Sequence, residues 1–205
     1  EAATIEPLGV AALTVQQTHH SSFQKALVLG AGFIGNMAAQ ILKNVYDYEV
    51  VVSEPSQLRR ERTYGADAFV DPIQEDVIEF VKNVWGEGPY HFGTGGMADL
   101  VIDCAGSKLT FSQALEAVRS KGTVGVVALP DQPVPVNLMR VVHKAPRIVG
   151  VLGSNMASAI ELITAKKVKL DSLVTHHFPL DDITEAFHTQ QNANVSVKVI
   201  VIPNQ

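Results

Sequence analysis

Three glycines near the start of the chain have the spacing of a nucleotide-binding turn. Gly30, Gly32 and Gly35 stand in "KALVLGAGFIGNMAAQ", between an apolar run and a helical pattern. At such a turn the first glycine permits the tight bend, the second lets a pyrophosphate approach the backbone, and the third lets the helix pack against the strand. The free N–H groups of the helix N-terminus then face the phosphates. We therefore predict that these glycines, with Phe33 and Ile34 between them, bind a dinucleotide.

An acidic residue follows at the distance that this fingerprint expects. Glu54 ends the strand-like run "EVVVSEP", about 19 residues after Gly35. A carboxylate there accepts hydrogen bonds from both hydroxyls of an adenosine ribose and repels a 2′-phosphate, which favours NAD over NADP. Arg59 and Arg60 weaken this preference, because a nearby arginine can hold a 2′-phosphate. A methyltransferase has a similar glycine-rich turn and acidic strand end, but the third glycine favours a dinucleotide.

Strands and helices alternate around these residues, which indicates a parallel sheet with helices on both faces. Apolar runs predict strands at residues 25–29, 49–53, 68–70, 99–104, 122–129 and 147–153. Helical spacing predicts helices at 7–17, 33–44, 56–65, 75–85 and 109–119. The predicted fold is α/β, a doubly wound six-stranded parallel (Rossmann) sheet in the order 3-2-1-4-5-6.

Two segments lie outside this pattern. A helix over 180–190 and a strand over 195–202 form a C-terminal helix–strand extension, and we expect the surplus strand to pair with something other than the six-stranded sheet. The glycine-rich "GEGPYHFGTGG" at 86–96 is predicted to be a flexible connector.

Composition and charge narrow the class of protein. The 205 residues are 46% apolar with a net charge of −5. The sequence lacks the clustered basic residues of a nucleic-acid-binding protein, so no nucleic-acid partner is expected. No apolar run reaches the length of a membrane span, and no signal peptide is visible, so no membrane partner is expected. The single cysteine, Cys104, excludes an internal disulfide and a multi-cysteine zinc site, and it fits a reducing, cytoplasmic setting.

The chain resembles the zinc-containing medium-chain dehydrogenases over nearly all of its length. The stretches that carry the resemblance, in that family's order and spacing, are "VLGAGFIGNMAAQ", "VVVSEPSQLRRE", "YGADAFVD", "ADLVIDCAGS", "GTVGVVALP", "HHFPLDDITEAF" and "VKVIVIP". The most similar branch is that of sorbitol, threonine and related polyol dehydrogenases. The resemblance implies an NAD-dependent enzyme that oxidises a polyol or secondary alcohol, with zinc acidifying the alcohol and the cofactor accepting a hydride.

The resemblance also implies roles for single residues. "SEPSQLRRE" implies that Glu54 and Arg59 hold the adenosine ribose. Ala105 and Gly106, after the fourth strand, are expected to touch the adenine and ribose without doing chemistry. Glu6 corresponds to a glutamate that lies beside the catalytic zinc, as a ligand or hydrogen-bonded to the zinc water.

The ends of the fifth and sixth strands complete the predicted cofactor site. Ligands bind outside the carboxyl ends of the strands at the switch point, which places Val127, Ala128 and Leu129 near the nicotinamide. The resemblance implies that backbone groups there hold the carboxamide, and Val151 and Leu152 join this set. Because the family pairs its sixth-strand edge with a twin, and an open apolar edge is a liability, we expect a homodimer through "RIVGVLG".

The chain departs from the family in lacking its N-terminal catalytic domain, which carries a zinc-binding cysteine and a His-Glu pair. Tetrahedral catalytic zinc needs three protein ligands, and this chain offers at most Glu6. Zinc is therefore expected only in the intact enzyme, and the chain alone is expected to be inactive. We expect residues 1–17 to be a connecting helix from the missing domain, 18–175 the NAD-binding domain, and 176–205 a segment that returns to the missing domain.

Other classes stay open. A stand-alone nucleotide-binding or redox-sensing module has little reason to keep both the strand at 195–202 and Glu6-Pro7, so truncation is favoured. Zinc-free quinone reductases tend to prefer NADPH, and Glu54 argues against them.

Overall fold

Strands and helices alternate along the chain in the computed structural model, which describes residues 2–203. The helices are α1 Ile5–Thr18, α2 Phe33–Tyr46, α3 Gln57–Glu61, α4 Val77–Trp85, α5 Thr110–Ala117, α6 Leu138–Lys144, α7 Met156–Thr164 and α8 Ile183–Gln191. The strands are β1 Lys25–Leu29, β2 Glu49–Ser53, β3 Ala68–Val70, β4 Glu87–Tyr90, β5 Gly93–Gly96, β6 Ala98–Asp103, β7 Val118–Val126, β8 Arg147–Gly150, β9 Val174–Pro179 and β10 Lys198–Ile202.

Six strands form one parallel sheet in the order β3-β2-β1-β6-β7-β8. This confirms the doubly wound α/β fold and its predicted strand order, because β6, β7 and β8 are the fourth, fifth and sixth strands of the prediction. Val28 in β1 stands beside Val52 of β2 on one side and Ile102 of β6 on the other. The chain turns back across the sheet between β3 and β6, so a crevice opens at the carboxyl ends of β1 and β6.

Apolar cores lie on both faces of the sheet, because successive strand residues point to opposite sides. Val28 joins Leu8 of α1 and Met37 of α2 in one core. Leu27 joins Val81 of α4 and Leu115 of α5 in the other. Burial on both faces explains why the strand sequences are continuous apolar runs rather than alternating ones.

Several predicted element boundaries are wrong. The third helix ends at Glu61 rather than near Gly65, where φ is +81° and the chain turns close against the backbone of α2. The strands β7 and β8 end three residues before their predicted ends at residues 129 and 153.

The closing strand finds a partner within the chain. β10 pairs in parallel with β9, and α8 packs on these two strands through the buried Ala186. The expectation that this strand pairs with something other than the six-stranded sheet is thus confirmed, and its partner is β9. The polar sequence "VTHHFP" of β9 hid the strand, because it lacks an alternating apolar pattern.

Residues 86–96 form a β-hairpin, so the prediction of a flexible connector is wrong. β4 and β5 pair antiparallel, and the glycines of β5 lie against the end of α5. A Cβ on Gly95 would lie 2.6 Å from Lys144 Nζ, and a Cβ on Gly96 would lie 2.6 Å from the Ala117 carbonyl oxygen. These glycines therefore permit close packing instead of flexibility.

Lys144 joins α6 to the end of α5. Its Nζ donates hydrogen bonds to the carbonyl oxygens of Leu115 at 2.9 Å, Glu116 at 2.6 Å and Val118 at 2.8 Å. The side chain is buried, and its burial lowers the pKa of Lys144 to about 8. A cation at this position satisfies carbonyl groups that a helix C-terminus leaves without partners.

Replacing Lys144 with methionine should destabilise the protein, because buried carbonyl groups lose their donor. We expect Lys144→Met to lower the free energy of unfolding by about 2–4 kcal/mol in urea denaturation. The control is Lys43→Met, because the Lys43–Asp67 ion pair has side-chain exposures of 35% and 36%. We expect a loss below about 1 kcal/mol for the control, and equal losses for the two variants would contradict this role of Lys144.

Candidate cofactor site

Two adjoining clefts lie at the carboxyl ends of β1, β2 and β6. The first cleft has a volume of about 470 Å³ and contains Glu54 and Ala105 in its lining. The second cleft has a volume of about 270 Å³ and is lined in part by Pro7 and Lys198. The residues that line both clefts are Gly32, Arg59 and Cys104. The clefts therefore meet at the turn between β1 and α2.

The glycines of this turn have different spatial constraints. Gly30 has a φ of +93°, and a Cβ there would lie 3.0 Å from Ala105 Cβ. A Cβ on Gly35 would lie 1.9 Å from the Gly30 carbonyl oxygen, so α2 can approach β1 only with glycine at this position. At Gly32 the nearest atom to an added Cβ is a guanidinium nitrogen of Arg59, 3.8 Å away. The backbone at Gly32 is therefore open on the side that faces Arg59.

The N-terminus of α2 opens onto the same place. Gly32 is its N-cap and provides no capping side chain. Phe33, Ile34 and Gly35 form the first turn and line the second cleft. Because the first N–H groups of a helix have no intrahelical acceptor, this turn presents donors and a partial positive charge to a ligand.

The Glu54 carboxylate is buried beneath the glycine turn, with 3% of the residue exposed. Its Oε2 accepts a hydrogen bond from the Ala31 backbone N–H at 2.7 Å, and its Oε1 accepts one from the Ser56 N–H at 2.9 Å. Each carboxylate oxygen can accept more than one hydrogen bond. The carboxylate therefore holds the turn to the start of α3 and keeps acceptor capacity for a ligand in the first cleft.

The two arginines after Glu54 have different surroundings. Arg59 Nε donates to the Ser196 carbonyl oxygen at 3.0 Å, and the Arg59 side chain borders both clefts. Arg60 donates to the carbonyl oxygens of residues 54–55 and pairs with Asp71 at 3.0 Å. Arg59 is thus the arginine placed to meet a ligand, whereas Arg60 is held by the backbone and a carboxylate.

The remaining predicted site residues are divided among different places. Ala105 lines the first cleft, whereas Gly106 and Ala128 border a smaller cavity of about 30 Å³ that shares Ser107 with it. Val127, Leu129, Val151 and Leu152 line neither cleft. Leu129 and Leu152 are exposed beyond the ends of β7 and β8, and Val151 is buried. The structure therefore gathers the turn, Glu54, Arg59 and Ala105 but leaves these four residues apart.

Sequence reasoning missed several residues that line the clefts. Pro72 and Ile73 follow β3, and Thr110 begins α5 after β6, so their positions past strand ends were a usable signal. Ala193 and Lys198 come from the C-terminal segment. Nothing in the local sequence connects that segment with the glycine turn.

Cys104 lies where the two clefts meet. Burial and the charge of the neighbouring Asp103 raise the pKa of the Cys104 thiol above its ordinary value. The thiol therefore stays protonated at neutral pH, which makes it a poor nucleophile.

Glu6 lies exposed in the first turn of α1, and the adjacent Pro7 lines the second cleft. Within residues 2–203, no group of three or more His, Cys, Asp or Glu side chains is arranged to hold a metal ion. Catalytic zinc needs three protein ligands, so the donors of this part of the chain do not fit that metal. The helices of these residues also include none with the length and apolar character of a membrane span.

The fold and the glycine turn are those of a Rossmann-type α/β protein, and comparison with known proteins identifies its family. The sequence profile of the zinc-binding dehydrogenases matches residues 34–166. L-threonine 3-dehydrogenase of Thermococcus kodakarensis is 29% identical over 100% of the chain, and sorbitol dehydrogenase of Bos taurus is 31% identical over 98%. The chain therefore belongs to the zinc-binding dehydrogenase family. It spans 58% and 56% of the lengths of these two relatives.

Solved structures agree with this assignment. 2R,3R-butanediol dehydrogenase from Bacillus subtilis has a TM-score of 0.84 at 26% identity, covering 98% of this chain and 57% of that one. A zinc-binding dehydrogenase from Sinorhizobium meliloti, bound to NADP, has a TM-score of 0.80 at 25% identity, covering 98% of this chain and 58% of that one. The alcohol dehydrogenase RspB from E. coli, in complex with NADH, shares the fold with a TM-score of 0.83 at 22% identity, covering 97% of this chain and 58% of that one. The last two structures contain NADP and NADH, respectively.

Alanine substitutions at two of the glycines should separate packing from open space. We expect Gly35→Ala to lower the free energy of unfolding by about 2–4 kcal/mol, because its Cβ would collide with the backbone of the turn. Gly32→Ala should lower it by less than about 1 kcal/mol, because its Cβ meets only a movable side chain. Urea denaturation of both variants measures the difference. Equal losses would contradict the packing described for Gly35.

Proposed function

We propose that this chain is the NAD-binding part of a zinc-type medium-chain dehydrogenase that oxidises a polyol or secondary alcohol by hydride transfer to NAD. The observation that carries the proposal is the buried Glu54 carboxylate in a cleft that begins at an open glycine turn. The names of similar proteins, which act on sorbitol and 2R,3R-butanediol, support an alcohol with neighbouring hydroxyl groups as substrate. The single cysteine supports a reducing, cytoplasmic setting.

The residues of the clefts fit a dinucleotide. In this proposal the pyrophosphate lies over Gly32, where the N–H groups of α2 and the Arg59 guanidinium supply donors and positive charge. The adenosine ribose donates its hydroxyls to Glu54. The bound cofactor supplies the hydride acceptor, and the protein supplies position and electrostatics.

The preference for NAD follows from the charges around the ribose position. A 2′-phosphate would approach the buried Glu54 carboxylate, whose charge repels it. Arg60 would have to leave Asp71 and two backbone carbonyls to compensate. Arg59 donates from Nε to a carbonyl of the C-terminal segment and faces Gly32. We therefore propose that NADP binds more weakly.

The proposal assigns no chemical step on the alcohol to these residues. Residues 2–203 bring together no metal-binding group, so we propose that zinc acts only in an intact enzyme whose ligands come from outside this chain. The chain alone should bind cofactor without oxidising alcohols.

Fluorescence titration of this chain with NADH and NADPH tests the proposal. We expect saturable NADH binding, NADPH binding weaker by about tenfold or more, which corresponds to about 1.4 kcal/mol, and no competition by S-adenosylmethionine. Glu54→Gln should reduce the difference between the two cofactors, because the repulsive charge is lost. Glu61→Gln is the matched control, because this substitution makes the same chemical change at an exposed position of α3.

The titration separately tests the dinucleotide site, the contact between Glu54 and the ribose, and the role of net charge. Competition by S-adenosylmethionine, or no response to either cofactor, would contradict a dinucleotide site. Unchanged discrimination in Glu54→Gln would show that Glu54 does not meet the ribose. A similar change in Glu61→Gln would show that net charge alone sets the preference.

We also propose a homodimer through residues 147–153, which comprise the outer edge of β8 and the three residues after it. In the described part of the chain β8 pairs on one side only, with β7. Ile148 is 42% exposed on this strand, and Leu152 just after it is 89% exposed. An open edge with apolar side chains favours pairing with another strand.

Light scattering after size-exclusion chromatography tests the dimer. We expect the wild-type chain to have twice the monomer mass, and Ile148→Lys to reduce the mass to that of a monomer by placing like charges at the edge. Ile160→Lys is the control, because Ile160 is similarly exposed on α7. A monodisperse wild-type monomer at high concentration would contradict this interface.

A further inference from the structure

Asp103, the last residue of β6, is a buried carboxylate held by hydrogen bonds from neutral donors. Only 2% of the residue is exposed. Its Oδ1 accepts hydrogen bonds from the backbone N–H groups of Ala105 and Gly106, both at 3.0 Å. Its Oδ2 accepts one from the Thr110 hydroxyl at 3.0 Å. These bonds offset the cost of burying the charge and fix the loop between β6 and α5.

The backbone of Asp103 extends this network to the next strand. Its carbonyl oxygen accepts hydrogen bonds from the N–H groups of Val127 at 3.1 Å and Ala128 at 3.2 Å. Asp103 therefore connects three segments at the carboxyl ends of the strands: the loop after β6, the start of α5, and the residues just after β7. A change in its side chain would first affect the loop, because the N–H groups of Ala105 and Gly106 donate to Oδ1.

This loop lies between the glycine turn and the segment that follows β7. On one side, a Cβ added at Gly30 would lie 3.0 Å from Ala105 Cβ. On the other, Gly106 has a φ of +63°, and a Cβ there would lie 2.9 Å from Ala128 Cβ. The loop therefore packs closely on both sides, at Ala105 and at Gly106.

The same loop forms one wall of the first cleft. Ala105, Ser107 and Thr110 line the cleft opposite Glu54. Asp103 itself is absent from the lining of either cleft. Its carboxylate thus acts on the cleft only through the residues that it holds.

We propose that Asp103 is a positioning residue that sets the affinity of the first cleft for the adenosine half of the dinucleotide. This inference rests on the proposed function of the cleft. Asp103 does not touch the cofactor, and it determines where the wall from Ala105 to Thr110 stands. The wall in turn determines how closely the cleft encloses the adenosine.

The chain contains a matched control for this role on the same strand. Asp99, near the other end of β6, accepts the backbone N–H groups of Gln24 at 2.9 Å and Lys25 at 3.0 Å and pairs with Arg119 at 2.6 Å. Like Asp103, it accepts hydrogen bonds from two backbone N–H groups. It lies near the amino end of β6, whereas the clefts lie at the carboxyl ends of the strands. Loss of either carboxylate should destabilise the fold, and only loss of Asp103 should change the cleft.

The test measures NADH and ADP-ribose affinity alongside the free energy of unfolding, at a temperature where each variant is folded. We expect Asp103→Ala to weaken both ligands by about tenfold, equally for the two, because the wall faces the adenosine half that they share. Asp103→Asn should restore most of the affinity, because its Oδ1 still accepts the two N–H groups. Asp99→Ala should lose stability and keep the wild-type affinity.

Thr110→Val provides a second variant if Asp103→Ala does not fold. It removes the hydroxyl that donates to Oδ2, and it should weaken both ligands by about threefold. Wild-type affinity in the folded Asp103→Ala or Thr110→Val protein would overturn the inference, as would an equal loss in Asp99→Ala. Failure of the wild-type chain to bind NADH would contradict the proposed function instead, so the two failures are distinguishable.

Discussion

The close approach of α2 to β1 is the constraint on which the site depends. There is no room for a side chain at Gly35, because a Cβ would lie 1.9 Å from the Gly30 carbonyl oxygen. The absence of a side chain at Gly35 therefore allows the N-terminus of α2 to lie at the carboxyl end of β1, where the strand order reverses and a crevice must open. The donors of the helix terminus and the sheet crevice therefore face the same volume.

Two buried carboxylates shape that volume from either side of β1. Glu54 follows β2 and holds Ala31 in the glycine turn, and Asp103 ends β6 and holds the loop at Ala105. Both are satisfied mainly by backbone N–H groups, so their geometry is set by the ends of strands rather than by flexible cations. Arg59 supplies positive charge on the open side of the turn.

The sequence alone predicts the sheet order and the glycine turn because both are recorded in local patterns. Apolar runs that are buried on two faces and glycines at a strand-to-helix turn leave few other folds. The hairpin at 86–96 was predicted wrongly because its glycines are needed for close packing against α5 and Lys144, which are distant in sequence. The strand β9 was missed because its residues are polar and only half-buried.

Part of the candidate site could also be predicted, because its residues follow a predicted strand in the sequence. Glu54 and Arg59 follow β2 directly, so their place near the turn is a consequence of strand order. Ala193 and Lys198 reach the clefts through tertiary packing of the C-terminal segment, which no local pattern records. Val127 and Leu152 lie past the ends of β7 and β8, because both strands end earlier than the apolar runs suggest, and they line neither cleft.

We propose that a dinucleotide lies across the glycine turn with its adenosine ribose on Glu54, and a crystal structure of this chain with NAD would test this placement. We expect both hydroxyls of the adenosine ribose within hydrogen-bond distance of the Glu54 carboxylate, and the pyrophosphate over Gly32 beside Arg59. Adenosine bound elsewhere, or a crevice that stays empty at saturating NAD, would contradict it.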